Sequence, residues 1–166
     1  MRGKCYCDTC RRVVEVKCPK GHELPIINVT VDLIVEHDGK LWLVKRKKQG
    51  WALPGGYVDY DETLEEAAER EGREELGAKR VTLLSQFHAY GDPGRDPRRC
   101  VTVAYIAQVD RIAPSKKRLK EDGLEEVRGF PLDKIPRLVF DHGEIVEDYL
   151  AFKKRLLPLR TRRGGR

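Results

Sequence analysis

The chain has 166 residues, of which 40% are hydrophobic and 36% are charged, and its net charge is +6. This length suffices for one hydrophobic core, and the composition is typical of a water-soluble globular protein. No apolar run approaches the roughly 18 residues that a membrane-spanning helix needs, and the first residues lack the apolar region of a secretory signal. We therefore expect a cytoplasmic protein with one main domain and no membrane partner.

The first 24 residues differ from the rest because they are rich in cysteine and poor in large hydrophobic side chains. Clustered cysteines indicate a metal site in a reducing compartment more than a disulfide framework. The spacing of two ligand pairs suits tetrahedral zinc: Cys7, Cys10, Cys18 and His22. The sequence CPKGH resembles a zinc-ribbon knuckle in which His22 replaces a cysteine, and Cys5 is an alternative fourth ligand. We predict a zinc-ribbon-like segment over residues 1–24 with a structural Zn²⁺; a redox role and an unmetallated arm are the alternatives.

A hairpin is the first element predicted after this segment. Residues 26–37 contain many β-branched side chains and predict a strand, and Asp38-Gly39 is a strong turn signal. Residues 40–46 return as the second strand, and Pro54-Gly55-Gly56 indicates a loop.

Two helices and three further strands follow. A segment rich in Glu, Ala and Arg predicts a helix from residue 61 or 62 to Leu76, ended by Gly77. The remaining predictions are strands over 81–90, 101–109 and 125–131, an amphipathic helix over about 142–157 and a basic flexible tail over 158–166. Strands mixed with two well-separated helices predict an α/β sandwich on a mixed sheet.

Three glutamates of the first helix, Glu71, Glu74 and Glu75, stand at positions i, i+3 and i+4. At about 3.6 residues per turn they project within an arc of about 100°, so their charges repel one another. Mg²⁺ relieves this repulsion because it takes oxygen ligands and bridges carboxylates to substrate phosphates. The pattern indicates a divalent-cation site; the alternative is a solvated acidic face paired with Arg70 and Arg73.

Residues 53–78 resemble the Nudix box, whose pattern is G-x5-E-x7-R-E-U-x-E-E-x-G-U with U aliphatic. Seven positions carry the box residue at the box spacing: Gly56, Glu62, Arg70, Glu71, Glu74, Glu75 and Gly77. Gly72 departs from the pattern, which has an aliphatic residue there, and Ala78 departs mildly. The broader resemblance covers residues 26–155 and implies a Nudix-type α/β/α sandwich with a mixed sheet over residues 25–157.

The resemblance also implies a role for each box residue. Glu71, Glu74 and Glu75 would hold Mg²⁺ or Mn²⁺, helped by the backbone carbonyl at Gly55 or Gly56. Arg70 would orient the glutamates, and Glu62 would brace the loop–helix junction by a salt bridge. Because Gly72 shares a stripe with Ala68 and Leu76, we expect the helix to approach the sheet closely there.

The general base comes either from the box helix or from a later loop. We include Glu125 among the catalytic residues, and the choice stays open among Glu71, Glu121, Asp122, Glu125 and Glu126. Each of the later acids has a plainer alternative, an exposed loop charge. A carboxylate beyond the metal's own ligands would accept the proton of the attacking water.

Basic and aromatic residues outside the box are candidates for substrate binding. Arg95, Arg98 and Arg99 offer bidentate donors to phosphate or ribose oxygens, and a basic surface turn is the alternative. Arg46 could reach the diphosphate from the second strand. Trp51 could stack on a base or cover the core, and His142 could line the site or be a satisfied structural group.

Residues 91–105 and 125–142 resemble segments of ADP-ribose pyrophosphatases, with Cys100 where His is common and Gly129 where Trp is common. The resemblance implies cleavage of ADP-ribose into AMP and ribose 5-phosphate. The alternatives are hydrolysis of NADH, nucleotide sugars or capped or 5′-triphosphate RNA, and a non-catalytic ADP-ribose sensor. We expect a small-molecule nucleotide partner; nucleic acid is less favoured, and a homodimer stays open.

Overall fold

A computed structural model describes residues 3–7, 12–16 and 27–160. The elements in chain order are β1 (Gly3–Cys7), β2 (Arg12–Val16), β3 (Asn28–His37), β4 (Lys40–Arg46), β5 (Gly50–Ala52), β6 (Gly55–Tyr57), α1 (Leu64–Leu76), β7 (Val81–Tyr90), β8 (Cys100–Val109), α2 (Lys116–Glu121), β9 (Leu124–Pro131) and α3 (His142–Arg160). None of the helices within these ranges is long and apolar enough to cross a lipid bilayer.

The N-terminal segment contributes one antiparallel pair of strands, β1 and β2, in which Cys7 lies opposite Arg12. Three of the four predicted zinc ligands, Cys10, Cys18 and His22, lie outside the described residues. The zinc site therefore stays a prediction.

Seven strands form a mixed sheet in the order β5-β4-β3-β8-β7, with β6 paired to β3 and β9 paired to β4. β3 and β8 run parallel, and the other pairings in this sheet are antiparallel. The β3–β4 hairpin pairs at Glu36↔Leu41 and His37↔Lys40. Farther from the turn, β3 pairs with β6 and β4 pairs with β5. The short strands β5 and β6 are thus inserted between the two arms of the hairpin.

Helices cover both faces of this sheet because side chains alternate along each strand. On one face Val31, Leu33 and Val35 pack in a core with Ala67, Ala68 and Leu76 of α1. On the other face Ile34, Leu41 and Leu43 pack with Ile145, Val146 and Tyr149 of α3. The predicted mixed sheet with helices packed on it is confirmed.

Capping explains where α1 begins and ends. The Thr63 hydroxyl accepts from the Glu66 N–H and the Glu66 carboxylate accepts from the Thr63 N–H, so the helix begins at Leu64, slightly later than predicted. At the other end Gly77 has φ 67°, and a Cβ there would lie 2.1 Å from the Ala113 carbonyl oxygen. Gly77 thus ends the helix as predicted, and no side chain fits in its place.

Gly72 lets α1 approach the sheet. A Cβ at this position would lie 2.8 Å from Val81 Cγ2 and 3.2 Å from Leu33 Cδ1. Real Cβ atoms essentially never show contacts under 3.0 Å, so an alanine forces its neighbours to move. The close approach predicted from the stripe that Gly72 shares with Ala68 and Leu76 is confirmed.

Two helix predictions were wrong in part. α2 lies within a segment that was predicted to be a loop, and none of its residues is buried, so no hydrophobic periodicity marked it. Ser115 caps it by accepting from the Arg118 N–H. α3 extends to Arg160, beyond the predicted end near residue 157. The strands over 40–46 and 81–90 have their predicted bounds.

Candidate active site

The three glutamates of α1 line one cavity of about 270 Å³, together with Gly55, Gly56 and Asp122. Glu71 is only 9% exposed and Glu75 only 2% exposed. Carboxylates as buried as these need a positive partner, because removing an unpaired charge from water is costly. The burial of Glu71 and Glu75 argues against the solvated acidic face that was the alternative.

Two glycines allow the loop before α1 to touch the carboxylates. The Gly55 N–H donates to Glu75 Oε2 at 2.8 Å. Gly55 has φ 151°, and a Cβ there would lie 2.1 Å from the Val31 carbonyl oxygen. A Cβ at Gly56 would lie 2.2 Å from Glu71 Oε1. Strand backbone therefore excludes a side chain at Gly55, whereas a Cβ at Gly56 would force the Glu71 carboxylate to move.

Arg70 links the loop to the carboxylates. Its guanidinium donates to Glu62 Oε1 at 2.6 Å, to Glu71 Oε1 at 2.7 Å and to the Tyr57 carbonyl at 2.9 Å. Glu62 in turn accepts from the Asp59 N–H at 2.7 Å. Arg70 thus contacts a glutamate of the predicted site, and Glu62 links the loop to the helix. The functional roles that the resemblance implies for them stay predictions.

The electrostatics of the buried pair favour binding of an additional cation. Burial raises the pKa of Glu75 to about 8, against the opposing influence of Arg46. Burial also raises the pKa of Glu71, although Arg70 counteracts it. A divalent cation would compensate both buried charges and bring these pKa values down.

Each of the three carboxylates is paired with an arginine from a different element. Arg46 of β4 lies 3.4 Å from Glu75 Oε1. Arg70 pairs with Glu71, and Arg118 of α2 pairs with Glu74. Within the described residues no group of three or more His, Cys, Asp or Glu is preassembled around a metal position.

The donor set nevertheless fits a hard divalent cation. Carboxylate oxygens of the three glutamates and the carbonyl of the Gly55 loop are the ligand types that Mg²⁺ and Mn²⁺ prefer.

The later acidic residues do not all reach this cavity. Asp122, directly after α2, lines it. Glu125 lies on β9 and pairs with Lys45 at 3.2 Å, and Glu126 pairs with Arg128. Neither lines the cavity, and nor does Glu121, so proximity favours Asp122 over Glu125 as the loop-derived base.

A second cavity of about 70 Å³ shares Arg46 and the Gly55–Tyr57 wall with the first. Arg98 stands over the rings of both Phe140 and Tyr57, its guanidinium carbon 4.4 Å and 5.7 Å from the two ring centroids. Phe140 has φ 55°, a conformation that bulky residues adopt only under strain. The fold holds this ring in place against its local preference.

The predicted substrate residues divide into two groups. Arg46, Arg95 and Arg98 line the second cavity, whereas Arg99 and Trp51 line neither cavity. Arg99 is exposed. Trp51 packs edge to face on Phe130, with ring centroids 4.8 Å apart.

Arg95 and Arg98 already have carboxylate partners. Arg95 forms a buried two-point ion pair with Asp141 and donates to the Cys100 carbonyl at 3.0 Å. Arg98 pairs with Asp96 but keeps 40% of its side chain exposed. Of the two, Arg98 is therefore better placed to meet a ligand.

A buried polar network lies behind the glycine loop, and only His142 among its members was predicted from the sequence. The Thr102 hydroxyl donates to Asp32 Oδ2 at 2.6 Å, and the Leu53 N–H donates to His142 Nδ1 at 2.9 Å. Burial lowers the pKa of His142, so the imidazole stays neutral with its proton on Nε2, 3.8 Å from Asp32 Oδ1. The signal that could have revealed the network is Asp32, an acidic residue between the apolar residues Val31 and Leu33.

Gly129 and Cys100, the two residues that depart from the pattern of the segments 91–105 and 125–142, have structural explanations. A Cβ at Gly129 would lie 2.9 Å from the ring of Trp42, so the neighbouring strand supplies the indole that covers this position. Cys100 is buried, its sulfur is 4.0 Å from the Tyr57 hydroxyl, and burial raises the pKa of its thiol. Both positions are packing sites.

Comparison with known proteins agrees with this geometry. A family model described as NUDIX domain matches residues 26–149. An ADP-ribose pyrophosphatase of Methanocaldococcus jannaschii is 41% identical over 130 residues, which cover 75% of this chain and 74% of that protein. An ADPR-responsive transcriptional repressor of Acinetobacter baylyi is 31% identical over 139 residues, which cover 76% of this chain and 54% of the repressor.

Among solved structures, a bifunctional NMN adenylyltransferase/ADP ribose pyrophosphatase from Francisella tularensis, complexed with AMP and a manganese ion, superposes with a TM-score of 0.63. It is 25% identical, and the match covers 76% of this chain and 42% of that one. The match therefore concerns one part of the larger protein.

Proposed function

This chain belongs to the NUDIX family of pyrophosphohydrolases, and we propose that its substrate is ADP-ribose, which it cleaves with Mg²⁺ into AMP and ribose 5-phosphate. The observation that carries the proposal is the cavity lined by Glu71, Glu74 and Glu75 beside the Gly55 loop, in which Glu71 and Glu75 are buried. The similarity to an ADP-ribose pyrophosphatase over three quarters of both chains supports the choice of substrate.

The two adjoining cavities provide for the two ends of such a substrate. They share the Gly55–Tyr57 wall, so a diphosphate lying along this wall would have its neighbouring groups in both cavities. The second cavity offers aromatic rings, the Arg98 guanidinium and the buried polar groups Thr30 and Asp32. This mixture of ring faces and hydrogen-bonding groups suits a nucleoside or a ribose.

Hydrolysis requires water to attack one phosphorus atom. The water oxygen bonds to that phosphorus, the bridging P–O bond to it breaks, and the bridging oxygen leaves on the other phosphate. Divalent cations held by the three glutamates and the Gly55 carbonyl would neutralise phosphate oxygens and make the water more acidic.

Residues of the chain orient the site and accept the proton. Arg70 fixes Glu71, and the Gly55 N–H fixes Glu75. We place the proton acceptor at Asp122, because it lines the cavity and is not one of the proposed metal ligands; Glu71 is the alternative from the box helix. Glu125, included among the catalytic residues from the sequence, lies on β9 and pairs with Lys45 of β4.

A substrate panel tests the proposal. ADP-ribose, NADH, a nucleotide sugar and 5′-triphosphate RNA are each incubated with protein and Mg²⁺, and products are separated chromatographically. We expect AMP and ribose 5-phosphate from ADP-ribose as the fastest reaction. Faster turnover of any other substrate would reassign the specificity.

A pair of variants tests the site. Glu75→Gln removes a buried carboxylate and should abolish turnover while the fold is retained. Glu69→Gln is the matched control, since Glu69 lies on the same helix, pairs with Arg73 and lies outside the cavity. Retained activity in Glu75→Gln would refute the proposed role of Glu75.

A non-catalytic ADP-ribose sensor is the second candidate, favoured by the similarity to the ADPR-responsive repressor. Tight ADP-ribose binding without turnover of any substrate on the panel would select this function instead. The complete set of carboxylates favours the enzyme.

We also propose that the N-terminal segment holds structural Zn²⁺ through Cys7, Cys10, Cys18 and His22, with Cys5 as the alternative to His22. The spacing of these residues supports it, and a segment this short depends on metal to fold. Metal analysis of purified protein should find about one equivalent of zinc, lost in Cys18→Ser. A zinc-free folded protein would contradict it.

A further inference from the structure

Arg46 donates hydrogen bonds to two oxygen atoms that a divalent cation would need as ligands. One guanidinium nitrogen, Nη2, lies 2.5 Å from the Gly55 carbonyl oxygen and 3.4 Å from Glu75 Oε1. Both oxygens belong to the donor set of the proposed magnesium site. The guanidinium is therefore a positive charge already in contact with two of the cation's ligands.

The three arginines around the carboxylates differ in what else holds them. Arg70 is anchored by Glu62 and the Tyr57 carbonyl, neither of which belongs to the donor set. Arg118 has 45% of its side chain exposed and does not line the cavity, although it pairs with Glu74. The side-chain hydrogen bonds of Arg46 both go to donor-set oxygens, so Arg46 has the contacts most directly in competition with a metal.

We propose that Arg46 is an internal counter-cation, which stabilises the metal-free site and is displaced when a divalent cation binds. The proposal rests on the proposed function in that it takes the glutamates and Gly55 as metal ligands. The displaced guanidinium has a place to go, because Arg46 also lines the second cavity. There it would face the diphosphate, so metal loading would deliver a phosphate-binding group to the substrate.

Competition with the metal and support of its ligands are two alternative roles of Arg46, and they predict opposite changes in metal affinity when Arg46 is removed. If Arg46 only aims the Gly55 carbonyl and Glu75 at the metal, removing it disorders the ligands and weakens metal binding. If Arg46 competes with the metal, removing it destabilises the metal-free protein, leaves the loaded protein less affected, and tightens metal binding.

The experiment measures metal affinity and stability rather than turnover. Wild type, Arg46→Gln and Arg73→Gln are titrated with Mn²⁺ and Mg²⁺ by calorimetry, and their thermal unfolding is followed in EDTA and in saturating metal. Arg73 is the matched control because its partner Glu69 lies outside the cavity. A third variant, Arg46→Lys, keeps the charge but loses the planar fork.

We expect Arg46→Gln to bind metal about ten-fold more tightly than wild type. Its Tm should fall in EDTA and approach the wild-type value in saturating metal, with Arg73→Gln unchanged throughout. If Arg46→Gln does not fold in EDTA, Arg46→Lys replaces it in the titration. Lysine keeps the charge but not the guanidinium geometry that contacts both oxygens, so it should compete less and bind metal more tightly than wild type. Equal or weaker metal binding by the folded variant overturns the proposal. If the wild-type protein binds no metal, both this proposal and the proposed function are wrong.

Discussion

Replacing Gly56 by alanine should disable the site through a single added methyl group. Its Cβ would lie 2.2 Å from Glu71 Oε1 and 2.7 Å from Glu71 Cδ. Contacts under 3.0 Å are essentially never observed, so the carboxylate must retreat by about 1 Å to an ordinary contact. Arg70 and the surrounding helix oppose this movement, because they hold Glu71 in its present position. A displacement of about 1 Å of a catalytic group lowers the rate about 100-fold, which is about 2.7 kcal/mol of transition-state stabilisation.

The assay is steady-state hydrolysis of ADP-ribose together with calorimetric titration of Mg²⁺. Gly143→Ala is the matched control, because a Cβ at Gly143 meets nothing within 4 Å. It should retain activity and metal affinity. If Gly56→Ala keeps a metal affinity within about two-fold of wild type, a difference of about 0.4 kcal/mol, the fitted contact between Gly56 and Glu71 is not required for metal binding.

Three further outcomes follow from the packing and the charges. Gly72→Ala should destabilise the protein by about 1 kcal/mol in chemical denaturation, because crowding against Val81 outweighs the gain in helix propensity; a stabilised variant would show that Val81 yields freely. Glu62→Gln should lower kcat with little change in Tm, because it weakens the anchoring of Arg70 but leaves the core intact. An unchanged kcat would contradict the bracing role. The folded-state pKa of His142 lies below its ordinary value of 6.5, so the stability it contributes is present above pH 6.5 and is lost as pH falls below it. His142→Asn should therefore lose less stability than wild type between pH 7 and pH 5, by up to about 1.4 kcal/mol per pH unit; parallel pH profiles would argue against a neutral buried imidazole.

The box helix could be predicted from the sequence because its rules are local. The spacing of Glu71, Glu74 and Glu75 fixes their common face, and Gly77 marks the end of the helix. The alternating strands of the hairpin likewise carry their own periodicity. Even the contact at Gly72 could be inferred from the stripe that it shares with Ala68 and Leu76.

The second cavity could not be predicted, because its walls come from segments distant in sequence. Asp32 meets Thr102 and His142 only when β3, β8 and α3 are assembled. The partners of Arg95 and Arg98 are also set by the tertiary fold or by loop geometry, and a count of basic residues does not show whether an arginine is already paired. For α2, the lack of buried side chains removed the pattern by which a helix is recognised.

The ion pair between Arg95 and Asp141 constrains how the substrate preference of this enzyme could be altered. It joins the β7–β8 loop, which carries Arg98, to the segment that carries Phe140 and His142. Because both side chains are buried, a loop transplanted from a relative with another residue at position 95 would leave Asp141 charged and alone. A loop exchange must therefore replace the β7–β8 loop together with the segment around Asp141 that precedes α3.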